Sequence, residues 1–234
     1  MRRRQFNQSV LGGAALLVLA ARQQAWALSL ADLSEKDASA GLKSALERGA
    51  LAAVGLLGKP GGFLDNPAVR IPLPGYLEDG AKLMRRLGQG KRVDELVTSM
   101  NRAAEAAIPM GKDLLVGAVK NMSVTDAKKI LGGGDNAVTQ FFAEKTRVPL
   151  GQTFLPVVTK ATEKVGLADK YNRVAGQAAG VGLMKKEDAN IQQYVTGKTL
   201  DGLYTIIGEE ERKIRQDPIG TGSALLKKVF GALK

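Results

Sequence analysis

The chain has no cysteine, no histidine, one tryptophan and few aromatic residues of any kind. Without cysteine there are no disulfides and no thiol chemistry, so the core alone must hold the fold. The absence of histidine removes the commonest general base, the usual neutral metal ligand and the familiar catalytic triads. Zinc would have to rest on carboxylates alone, a donor set that disfavours it. The serine signatures G-x-S-x-G and S-x-x-K do not occur, and neither does the oxygen-rich D-x-[DN]-x-[DN]-G loop that calcium requires. No cofactor, metal site or catalytic residue is assigned. Alternating or continuous β-branched runs are also scarce, and nothing repeats at a fixed period.

The first residues read as an export leader. "MRRRQFNQSVLGGAALLVLAARQQAWA" places three arginines before a small-or-apolar run from Val10 to Ala21 and ends on Ala25-Trp26-Ala27. That is the charge, apolar and A-x-A order of a cleaved signal peptide, with cleavage expected after Ala27. Twelve helical residues span only about 18 Å against roughly 30 Å of hydrocarbon, so no permanent membrane anchor is expected. Arg3, Arg4 and Phe6 resemble the twin-arginine signal, whereas Asn7 and Gln8 depart from its usual continuation, and both that route and the general secretory route stay open. Removal of residues 1–27 takes away four arginines and no acid, lowering the net charge from +11 to +7. The remaining basic residues come as scattered pairs without aromatic stacking partners, so nucleic acid is not an expected partner. The expected product is a soluble periplasmic protein.

"YVTGKTL", residues 194–200, contains the Gly-Lys-Thr that closes a phosphate-binding loop, but Gln192 stands where the first glycine belongs and no buried strand precedes it. The reading is a glycine near a helix junction, with Thr196 or Thr199 available as an N-cap.

Helical periodicity dominates elsewhere. Leu42, Ala45, Leu46, Ala50, Ala53 and Leu57 form one stripe, stopped by Gly58 and Pro60. Residues 92–108 form the clearest helix, which Pro109 ends or kinks. Ser123 and Asp126 resemble a capping box, and three glycines (132–134) separate that helix from the next, which Asp135 can cap. Those glycines before a helix start could also hold an anion. Further helices are expected over about 150–164, bent or interrupted near Pro156, over about 169–179, and over 221–233. In the last third, Leu200, Leu203, Tyr204, Ile207 and Ile214 mark a stripe, with Glu209/Lys213 and Glu211/Arg215 as i,i+4 pairs and Glu209–Glu211 as a solvated acidic face. Residues 59–80, with four of the eight prolines, break the pattern. They read as an irregular connector with a short strand or extended strip at Val69–Ile71. The expected architecture is all-α, a single bundle-like domain over 28–234.

Polar residues at the margins of the apolar stripes are the remaining candidates for a buried network or pocket: Asn101, Glu105, Asp126, Asp135, Thr139, Asp201, Glu210 and Arg215. Buried polar groups need partners whether or not they bind a ligand, and the structural role is favoured.

"MNRAAEAAIP", "MSVTDAKKILGGGDNAVTQFF", "YVTGKTLDGLYTIIGEEERKIRQDP" and "LLKKVFG", in that order, with "IPLPGYL" at 71–77, resemble the recurring blocks of a bacterial exported family catalogued as domain of unknown function 4197. The resemblance runs from about Leu42 to the C-terminus. It implies an exported, mainly helical bacterial protein and transfers no activity. The expected function is binding or interaction with an envelope component, whether lipid, polymer or protein, through a helical groove or the proline-rich strip. The alternative is a carboxylate-dependent hydrolase of an envelope polymer.

Overall fold

In a computed structural model of the chain, the described residues are 35–163, 169, 171–172, 176 and 190–216. The expected leader and the helix expected over 221–233 lie outside them, as does most of the one expected over 169–179. The chain divides into two compact units, 1–42 with 218–234, and 43–217, and nearly all described residues belong to the second.

The described residues are all-α, with no strand among them. In chain order they form α1 (Glu35–Leu57), α2 (Gly75–Arg86), α3 (Gly90–Ala107), a 3-10 turn (Ile108–Gly111), α4 (Lys112–Lys120), α5 (Val124–Leu131), α6 (Ala137–Thr162) and α7 (Ile191–Gln216). All six residues of the α1 stripe are buried. Pro109 ends α3, as expected, because its missing N–H and fixed φ suit the start of the turn.

The second unit is organised around α6, which packs most extensively on α7, then on α3, with α4 and α5 adding smaller contacts. Its buried residues Val138, Phe142, Thr146, Leu150, Phe154, Val158 and Thr162 lie four apart. Steps of four advance about 40° around a helix, so the stripe sweeps roughly 240° and turns a different side to each successive partner. This explains a departure from expectation: α6 is one continuous helix through both Pro149 and Pro156, with no break at residue 150 or near Pro156. Proline disfavours a helix interior, but Leu150, Phe154 and Val158, all fully buried, hold this stretch against its neighbours.

Residues 58–74 form a strap of turns with no regular structure, and α2 then begins at Gly75, so the irregular segment is shorter than the expected 59–80. Phe63, Val69, Ile71 and Leu73 point into the core. Gly202 on α7 makes room for them: a Cβ there would lie 2.7 Å from the Phe63 ring and 3.3 Å from Val69.

Candidate functional site

The eight polar candidates do not converge on one site. They separate into two buried structural clusters, one helix cap beside a groove, and isolated surface positions.

The first cluster lies where α3 meets the strap. Asn101 and Glu105 are one turn apart on the same face of α3, and both are buried. The Asn101 Oδ1 accepts from the Ile71 N–H at 2.8 Å, while its Nδ2 donates to the Ile71 carbonyl at 2.9 Å and the Val97 carbonyl at 2.8 Å. A side-chain amide thus makes to Ile71 the paired bonds that a neighbouring strand would make, but the strip expected at Val69–Ile71 does not form as one: Val69 belongs to a turn, and the Val69 and Arg70 N–H groups donate to the Asn66 carbonyl at 3.2 and 2.8 Å. Glu105 Oε1 accepts from the N–H groups of Phe63 and Leu64, both at 3.1 Å, and Oε2 pairs with Arg102 at 2.6 Å. Burial alone would raise the Glu105 carboxyl. The Leu64 N–H, the Arg102 guanidinium and the Phe63 N–H outweigh it and hold the group below its ordinary value. From α7, the Tyr194 hydroxyl adds a bond to the Pro72 carbonyl at 3.1 Å.

The second cluster brings Thr139 and Arg215 together through Glu211, which is 3% exposed and was expected on a solvated face. Its carboxylate accepts from the Val138 and Thr139 N–H groups, both at 3.1 Å, and from the Thr139 hydroxyl at 3.2 Å. Arg215 closes on it at 3.0 Å and also donates to the Ile130 carbonyl at 3.2 Å. The start of α6 therefore holds an anion, as a helix N-terminus favours, but the anion is the protein's own Glu211. It also takes over the role expected of Asp135, which lies exposed in the preceding turn, while the N-cap residue Asn136 makes no side-chain cap bond.

Glu210 points about 100° away from Glu211 and forms a partly exposed pair with Lys213 at 2.7 Å, so Lys213 pairs with Glu210 rather than Glu209. Asp201 makes an exposed pair with Arg147 at 2.6 Å. Gly197-Lys198-Thr199 is inside α7, not at a junction, and the Thr196 and Thr199 hydroxyls donate back to carbonyls four residues earlier rather than capping a helix. Among the described residues no buried side-chain polar atom lacks a partner, and no group of acids is placed to hold a metal ion.

Asp126 completes the expected capping box: its backbone N–H donates to Ser123 Oγ at 3.0 Å, and its carboxylate accepts from the Ser123 N–H at 3.0 Å. The Ser123 hydroxyl and N–H hold the Asp126 carboxyl below its ordinary value against a smaller opposing effect of burial, with Lys145 and Lys129 assisting. This residue also lines an open groove of about 380 Å³ between α4, the start of α5 and α6. Leu114, Gly117, Ala118 and Asn121 form one wall at helical spacing, Phe141, Lys145, Thr146 and Pro149 the other, with Met122 at the base and Asp113 at the edge. Lys145 is 3.9 Å from Asp126 and 3.5 Å from Glu144. Thr146 donates to the Phe142 carbonyl at 2.6 Å, which leaves the Tyr204 hydroxyl, 2.9 Å away, to donate to it. Burial raises the Tyr204 phenol, although Thr146 and Arg147 work the other way.

The margins of the stripes revealed Asp126 but not the rest of the groove, because Asp113, Asn121 and Lys145 are exposed residues whose neighbours come from other helices. A sequence signal for Glu211 does exist. It lies four residues after Ile207 on the α7 stripe and four before Arg215, an acid on an apolar face with its counter-ion one turn away.

Among the described residues no helix is long and apolar enough to cross a membrane. No curated protein and no solved structure matches the chain. A family profile does match, over residues 32–231, and on that match the chain belongs to the family described as protein of unknown function (DUF4197).

Proposed function

We propose that the protein is exported to the periplasm and acts there as a binding or interaction protein for an amphipathic envelope component, held in the groove between α4, α5 and α6. The groove carries this reading: it has the volume of a small-ligand site, an apolar lining from Leu114, Met122, Phe141 and Pro149, and polar groups at its rim from Asp113, Asn121 and Lys145. A ligand with an apolar segment and a hydrogen-bonding head matches that division. The hydrolase alternative draws less support. A carboxyl acting as general acid is raised towards neutrality, whereas Glu105 and Asp126 are both held low, and both are committed to backbone N–H groups.

The test is native mass spectrometry of protein recovered from the periplasm, with Gly117→Trp as the occluding variant, since a Cβ at Gly117 meets open space. The expected result is a chain beginning at Leu28 with a retained amphipathic ligand that the variant lacks. Repeated recovery of bare wild-type protein, or equal ligand in both, would overturn the groove reading.

A further inference from the structure

A different surface, at the end of α2, carries a second property. The helix closes in a built stop: the Gly88 N–H donates to the Arg85 carbonyl at 3.1 Å and the Gln89 N–H to the Met84 carbonyl at 2.8 Å, with Gly88 at φ +76°. These are the two bonds of a Schellman turn, which calls for a left-handed residue at the Gly88 position. The turn leads directly into α3, so the tip between the helices is held in place by hydrogen bonds.

Two large apolar side chains project from that tip. Leu83 is 57% exposed and Leu87 69% exposed, and they lie four residues apart on one face of the helix. Ala81 is buried and Met84 half-buried, so α2 already has an inward face, and the leucines are not part of it. The tip and the first turns of α3 carry exposed Arg86, Lys91 and Arg92 against one exposed acid, Glu95, while Arg85 pairs with Asp94 at 2.9 Å, so basic residues outnumber acidic ones there. Glu78 lies in the first turn of α2 and Arg85 and Arg86 in its last, so positive charge gathers at the leucine end.

We infer that this tip is a docking surface for an anionic lipid bilayer, with Leu83 and Leu87 entering the interface and the basic residues facing lipid phosphates. Two observations select a bilayer over other partners. Charge complementarity calls for a polyanion, but a hydrated anionic polymer offers no apolar medium to two exposed leucines, whereas a lipid interface offers both. A second copy of the chain would set like charges against each other. The inference takes its setting from the envelope location proposed above and is independent of the groove.

Co-sedimentation with phosphatidylglycerol vesicles and with phosphatidylcholine vesicles tests it, using the protein as recovered after export. The wild type is expected to bind the anionic vesicles, to bind phosphatidylcholine at least tenfold more weakly, and to lose affinity as salt screens the basic groups. Each basic residue near an anionic surface contributes about fivefold in affinity, so Arg86→Glu with Lys91→Glu should cost more than about tenfold. Leu83→Ser with Leu87→Ser should cost a similar factor at unchanged helical circular dichroism. Gly117→Trp should leave vesicle binding unchanged, so failure of the groove reading and failure of this one give different results. The inference is overturned if the wild type ignores phosphatidylglycerol, if either double variant binds it normally, or if the leucine variant loses nothing while both forms bind a lipid-free polyanion equally.

Discussion

Glu211 takes two hydrogen bonds from Thr139, one from the backbone N–H at 3.1 Å and one from the hydroxyl at 3.2 Å, across 72 residues of chain. One carboxylate thereby ties the C-terminal part of α7 to the first turn of α6. Replacement by alanine uncaps α6 and leaves Arg215, which is largely buried, without this partner. Glu211→Ala should cost about 3–5 kcal/mol, Thr139→Val about 1 kcal/mol, and Glu210→Ala, one residue away on the surface, within about 0.5 kcal/mol. Denaturant unfolding of the three variants checks the order, and equal losses at 210 and 211 would contradict it.

Asn101→Ala leaves the Ile71 N–H and carbonyl without partners inside the protein. A stability loss of about 2–4 kcal/mol is expected. Amide exchange should locate it, with the Ile71 amide losing protection and proteolysis within 58–74 accelerating before the α6–α7 core opens.

The Glu105 carboxyl is lowered in the folded state, so its contribution is fully present above its unfolded value of about 4.3 and is lost as pH falls through the lower folded value. Glu105→Gln should therefore be less stable than the wild type at pH 7, and the gap should shrink as pH drops below about 4. Unfolding curves at several pH values measure this, and a gap independent of pH would assign the loss to packing instead.

Two glycine substitutions should move stability in opposite directions. Gly202→Ala drives a methyl into the Phe63 ring and should cost about 1–3 kcal/mol. At Gly117 the new Cβ meets nothing within 4 Å, and Gly117→Ala should stabilise α4 by up to about 1 kcal/mol. Thermal unfolding of both variants is sufficient to check the signs.

Features that depend on local spacing are legible in the sequence. The α1 stripe, the Ser123–Asp126 capping box, the stop at Pro109 and the all-α class each depend on residues within a turn or two of one another. Features that depend on distant chain segments are not. The continuity of α6 through Pro149 and Pro156 comes from burial against other helices, which local proline rules do not see. The alternation at Val69–Ile71 signals a strip where the chain makes a turn: the Val69 and Arg70 N–H groups bond back to Asn66, and the Ile71 main chain finds its partner in the Asn101 side chain. The buried acid on α7 is a different case: Glu211 continues the Leu203–Ile207 stripe by one turn, so the sequence carries its signal, but a run of three glutamates reads first as a solvated face. The groove was illegible because three helices supply its walls and most of its polar groups are ordinary exposed residues.

The strap has a consequence for how this chain can change over time. Asn101 and Glu105 grip only main-chain atoms of Phe63, Leu64 and Ile71, so the grip does not depend on which side chains the strap shows to solvent. Drift at its outward positions, such as Pro72 or Arg70, should be cheap, whereas positions 101 and 105 have little room to vary. The strap is thus a place where a new outer surface can be acquired without renegotiating the interior.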